Sequence, residues 1–172
     1  MEHRSVFVRA GIFFFVFLLL HFLYDFLPHP MVGIFSGTSE AVFQHLKMGF
    51  YAYLAAGLLE ALLVRAYRPL LAPRVLFPLL GTAVVVPWML FLLYYLLPAF
   101  FGDVENMVFH VIYSTIITYI GGVFAAVLRD ELATARLSLG FRVVILILSA
   151  ATLVIVLVFN TQAPPLDLFE LP

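Results

Sequence analysis

Long apolar runs alternate with short polar stretches from one end of the chain to the other. Five runs reach the length that a bilayer core of about 30 Å demands of a helix, about 20 residues. They cover residues 6–27, 48–66, 75–97, 107–128 and 143–159. Backbone groups in lipid must bond within their own segment, so each run is predicted to be a helix. The pattern therefore predicts an all-α, polytopic membrane helix bundle with five transmembrane helices. It forms a single transmembrane domain over residues 1–172, with no internal repeat. Prolines punctuate it: Pro28, Pro30, Pro69, Pro73 and Pro98 fall at borders, and Pro87 is expected to kink the third span.

Composition agrees with the pattern. The chain is 65% hydrophobic and 11% charged, with a mean hydropathy of +1.12, far from the roughly 25% charged residues of soluble domains. Nine basic and ten acidic residues argue against nucleic acid as a partner. The absence of cysteine excludes disulfides, thiol catalysis and cysteine-held metals. Arg4 and Arg9 precede the first apolar run, as in a secretory signal, but the run continues through His21 to Leu27 without a small-residue cleavage site. It reads as a retained first span.

Arginine sets the expected orientation. Arg4 and Arg9 precede the first span, Arg65, Arg68 and Arg74 fill the second-to-third connection, and Arg129, Arg136 and Arg142 the fourth-to-fifth. The other side holds only Lys47, with Asp25, Glu40, Asp103, Glu105, Asp167 and Glu170. The positive-inside rule then places the N-terminus inside and the C-terminus outside. The expected location is the cell membrane, multi-pass, with the lipid bilayer as the principal partner.

The polar residues gather on the outer side. His21 and Asp25 end the first span four residues apart. Glu40, Gln44, His45 and Lys47 lie in or beside the loop 28–47, and Asn106, His110, Tyr113 and Ser114 lie early in the fourth span. Residues four apart share a helix face, and polar groups in spans tend to face the bundle interior or a wet cavity. His21, Asp25, Glu40 and His110 are thus expected to converge as ligands of a divalent ion such as zinc. With a helix starting near Thr38, capped by Ser36 or Thr38, Gln44 joins the stripe of Glu40. On the same helix His45 is turned about 140° away from Glu40, which makes it a supporting or packing residue. Gln44, Asn106 and Tyr113 fall at the edge of the pocket.

Three functional readings are compatible with this gathering. One is a His/carboxylate metal site. A second is a membrane hydrolase at the outer leaflet, with His110, Ser114 and Glu40 as catalytic candidates. The third is a non-catalytic transport, accessory or binding subunit for a lipid or small molecule, its polar groups only joining helices. The chain lacks an HExxH metalloprotease motif and a G-x-S-x-G elbow. Glu60 is expected to pair with a basic neighbour, and Trp88, Tyr94 and Tyr95 to anchor at interfaces. The tail 160–172, with Leu166, Leu168, Phe169 and Leu171, is expected to pack on the outer ends of the helices.

The stretch HFLYDFLPHPMVGIFSGTSEAVFQHLK and the tail APPLDLFELP together resemble a family of prokaryotic multi-span membrane proteins with no assigned reaction. The resemblance rests on His21, Asp25, Val32, Gly33, Phe35, Ser36, Glu40, His45, Leu46 and Lys47. Gln44 stands where the family has a second glutamate, and Ser39 where it has asparagine. The resemblance implies that the outer motif matters without naming its chemistry.

Overall fold

The computed structural model describes residues 4–63, 72–102, 106–162 and 164–169. Among them the secondary structure is helical: α1 (Arg4–Phe26), the short α2 (Pro30–Gly33), α3 (Val42–Leu63), α4 (Pro73–Phe101), α5 (Met107–Thr134) and α6 (Leu139–Thr161), then a single 3-10 turn, Asp167–Phe169. Four helices contain segments long and apolar enough to cross a membrane: Val6–Phe26, Pro73–Phe101, Val108–Thr134 and Leu139–Thr161. α3 corresponds to the expected second span, 48–66, whose last residues lie outside those described. α4 runs unbroken through Pro78, Pro87 and Pro98, so Pro98 does not mark a border. α5 extends to Thr134, beyond the expected end at 128, because the segment that follows the apolar run carries Arg129 and Asp130 into inter-helix ion pairs.

The helices form a ring. α1 packs on α3 and α5, and α4 completes the circuit by packing on the same two; α6 lies outside the ring against α4. The core inside the ring is built from Phe13, Phe17, Met48, Phe50, Tyr53, Leu79, Val86 and Leu90, with Ala52, Ala56, Ala83 and Ala125 between them. Apolar packing between such helices depends on close approach, which small residues permit. Gly122 of α5 shows this directly: a Cβ there would lie 2.8 Å from the Phe13 ring and 3.3 Å from the Ala10 backbone of α1.

Charge pairing closes one end of the ring. The Arg9 guanidinium of α1 grips the Asp130 carboxylate of α5 with both Nη atoms, the Nη1 bond being 2.8 Å. Arg129 Nη1 donates to Glu60 Oε2 of α3 at 2.5 Å, and Arg9 Nε lies 4.0 Å from Glu60 Oε1. Two positive and two negative groups, all largely buried, thus neutralise one another, as expected for Glu60. Just above them the Tyr53 hydroxyl donates to the Ala125 carbonyl at 3.0 Å. At the opposite end, Lys47 near the start of α3 bonds Asn160 near the end of α6. The described chain therefore begins at the arginine-rich end and finishes at the other.

The Gly122 contact generates a test. Replacing Gly122 by leucine forces α1 and α5 apart and should cost about 1–3 kcal/mol, the usual range for overpacking. The expected readout is a lower thermal midpoint in detergent, with helical content unchanged at low temperature.

Candidate metal centre

The loop between α1 and α3 determines what meets at the other end. It begins with Pro28, turns through α2, and ends in Ser36-Gly37-Thr38-Ser39, four residues that favour turns. His29 opens α2, its Nδ1 accepting from Met31 N at 3.2 Å. The Ser36 hydroxyl is fully buried and donates back to the Val32 carbonyl at 2.8 Å. It does not cap α3. Ser39 Oγ accepts from Ala41 N at 3.4 Å, and the first residue of α3 is Val42. Glu40 is therefore a loop residue, not a helical one.

That start changes which residues meet. Glu40 Oε2 lies 3.6 Å from His21 Nε2 and 3.6 Å from His45 Nε2. The two imidazole rings are 5.2 Å apart. One ligand atom from each of His21, Glu40 and His45 lies within 4.8 Å of the other two. The expectation that His45 is turned away from Glu40 is corrected: it assumed that both residues share one helix, and the 140° count has no meaning for a residue placed before the helix begins. The same start dissolves the Glu40–Gln44 stripe. Gln44 instead reaches back, its Oε1 3.5 Å from Thr38 N.

The other candidates lie elsewhere. Asp25 is exposed at the end of α1, and neither it nor His110 belongs to the cluster of donors. The His110 ring stands beside Phe109, at 6.3 Å between centroids. The Ser114 hydroxyl donates to the His110 carbonyl at 2.6 Å and approaches that of Val111 at 3.3 Å. These are bonds along its own helix, so this hydroxyl is not directed to an imidazole. The Tyr113 hydroxyl bonds the Leu93 carbonyl of α4, and the Asn106 side chain caps α5 by accepting from Phe109 N at 3.0 Å. Tyr113 and Asn106 hold helices together or end them.

Protons can be assigned at His45. Its Nδ1 lies 3.2 Å from the Ala41 carbonyl, and a carbonyl only accepts, so Nδ1 carries the hydrogen. In the neutral ring Nε2 then presents a lone pair towards a carboxylate oxygen that also presents lone pairs. Two acceptors at 3.6 Å repel unless a cation stands between them. His21 lacks the equivalent support: its Nδ1 is buried and has no hydrogen-bond partner. Aromatic rings wall the site, with Phe17 stacked on His45 at 6.3 Å and Phe22 at 4.8 Å from His21. Both histidines are about three-quarters covered, while the Glu40 side chain is 64% exposed, so water reaches the cluster from the carboxylate side.

Lys47 holds the loop in place. It is fully buried, and its Nζ donates to the Gly33 carbonyl and to Asn160 Oδ1, both at 2.7 Å. Sequence reasoning placed Lys47 near the outer motif without giving it a role. Nearby, Phe169 of the tail lies 4.6 Å from Phe43 and 5.4 Å from Phe159, measured between ring centroids. Leu168 and Phe169 are half-buried, as expected of a packed tail. Leu166 is 55% exposed, contrary to that expectation. Leu171 lies outside the described residues.

Comparisons of the chain with protein-family models, with curated proteins and with solved structures gave no match.

The Lys47 contacts can be tested alone. Lys47→Met keeps the apolar stem but strips two buried oxygens of their donor, at about 1–3 kcal/mol for each unsatisfied group. We expect a lower thermal midpoint, and faster proteolytic cleavage in both the loop 28–41 and the tail.

Proposed function

We propose that this is a five-span membrane protein that binds a divalent, zinc-like cation at its outer end through His21, Glu40 and His45. The observation that carries the reading is the pair of 3.6 Å separations from Glu40 Oε2 to the two Nε2 atoms. Ligands at 2.0–2.2 Å around tetrahedral zinc stand about 3.4 Å from one another. The two separations from Glu40 are too long for hydrogen bonds and within a few tenths of an ångström of that edge, and the third pair of ligand atoms lies within 4.8 Å. Two imidazoles and one carboxylate are a ligand set that zinc accepts, and three protein ligands leave a fourth position for water or substrate. The exposed side of Glu40 gives that position access to solvent. The Nδ1–H of His45 on the Ala41 carbonyl is the outer support by which proteins fix a ligating imidazole.

Two features support α3 as the fifth span. Its 22 residues rise about 33 Å, enough for a bilayer core of about 30 Å. Its two charged side chains are also compensated inside the bundle, Lys47 by two oxygens and Glu60 by Arg129. Arg9, Arg74, Arg129, Arg136 and Arg142 cluster at the opposite end from the histidines, which supports an inside N-terminus and an outward cation site. The sequence resemblance to a multi-span family without an assigned reaction is compatible with this reading and adds no chemistry to it.

The reading is tested by titrating zinc into purified, metal-stripped protein by calorimetry. We expect one ion per chain. His21→Ala, Glu40→Gln and His45→Ala should each weaken binding by about tenfold or more, since each removes one of three ligands, whereas His110→Ala should leave it unchanged. Ligating imidazoles and carboxylates must give up their protons to the metal, so affinity should fall as the solution is made acidic. Equal affinity in wild type and His45→Ala would sink the assignment.

A further inference from the structure

A cavity lies at the end of the bundle opposite the histidine cluster. It has a volume of about 360 Å³ and is lined by Pro73 and Arg74 at the start of α4, by Leu132, Arg136 and Leu137 at the end of α5 and beyond it, and by Arg142 of α6. Three guanidinium groups therefore border one space. Their situation differs from that of the other two described arginine side chains at this end. Arg9 and Arg129 are matched by Asp130 and Glu60. Among the described residues no ion pair falls on Arg74, Arg136 or Arg142.

Topology alone does not account for this arrangement. The positive-inside rule asks only for basic residues near the ends of spans; it does not ask that they share a cavity or remain without acidic partners. Arg142 is half-buried, its guanidinium carbon 5.5 Å from the centroid of the Phe77 ring, while its Nε is buried and, among the described residues, makes no hydrogen bond. An arginine held in a fixed pose with a buried donor unused is prepared for an acceptor. The same cavity meets the first turn of α4, whose N-cap Ala72 supplies no side-chain acceptor. The helix dipole there favours an anion.

We propose that this cavity binds a phosphate group, through Arg74, Arg136 and Arg142, as presented by the headgroup of an anionic phospholipid. Guanidinium forks match phosphate oxygens bidentately. Leu132, Leu137 and Pro73 supply apolar surface beside the charge, as a lipid needs and a free ion does not. Basic pockets between the ends of membrane helices are a general form of headgroup site. The inference is independent of the cation site at the other end.

The test measures lipid retention and thermal shift on the full chain in a neutral detergent. The arms are phosphatidylglycerol, phosphatidylcholine and inorganic phosphate. We expect phosphatidylglycerol to be retained at least fivefold over phosphatidylcholine, and to raise the thermal midpoint. Arg136→Gln alters an exposed side chain and should leave the fold intact; it should reduce retention at least threefold, and adding Arg74→Gln should abolish the preference. A shift by inorganic phosphate equal to that by phosphatidylglycerol would keep phosphate recognition but overturn the lipid as its source. Equal retention of both lipids, or the same preference in the double variant, would overturn the site.

Discussion

The buried ammonium of Lys47 is the constraint on which the histidine-bearing half of the molecule depends. It sits within the bundle with no carboxylate paired to it among the described residues, compensated by the Gly33 carbonyl and the Asn160 side chain. A charge removed from water is tolerated only when its hydrogen-bonding capacity is met. Those two bonds tie three distant pieces of chain together: the loop after α1, the first turns of α3, and the last turn of α6. Glu40 lies in the same loop, seven residues beyond Gly33. Anchoring that loop brings its carboxylate between a histidine of α1 and a histidine of α3. The meeting of His21, Glu40 and His45 is thus a consequence of how a lysine is satisfied, as much as of the three residues themselves.

The two ends of the bundle solve the problem of charge differently. At the arginine-rich end, Arg9, Glu60, Arg129 and Asp130 pair across α1, α3 and α5, leaving Arg74, Arg136 and Arg142 around an open cavity. At the other end the Lys47 ammonium is held by a backbone carbonyl and an amide rather than by a carboxylate, and Glu40 is the one carboxylate of the histidine cluster. Between them lies an apolar ring in which alanine and glycine permit close contact. One end thereby gathers unpaired guanidinium groups among the described residues, and the other gathers imidazole and carboxylate.

Much of this was legible in the chain. Apolar runs of about 20 residues located the long helices, and the pairing of Glu60 followed from its place near arginines. What failed was local. The meeting of His45 and Glu40 turned on whether α3 starts near Thr38 or at Val42, a shift of four residues that sets whether a helical angle applies at all. The turn-forming run Ser36–Ser39 was the available signal. The contact of Lys47 with Asn160 had no such signal, because it joins residues far apart in sequence through the packing of α3 and the end of α6. The positions of Ser114 and Tyr113 were misleading for another reason: a hydroxyl on a helix in an apolar setting is readily satisfied by a nearby carbonyl.

The position of Asn160 near the end of the last helix also bears on how the protein is made. Lys47 leaves the ribosome long before Asn160 does. Until α6 joins the bundle, the ammonium has only the Gly33 carbonyl as a partner. A chain that stops short, or whose last helix fails to enter, keeps the four-helix ring but carries an under-satisfied cation at its outer end. Arrival of α6 relieves that defect, so a helix made late completes the packing of a loop made early.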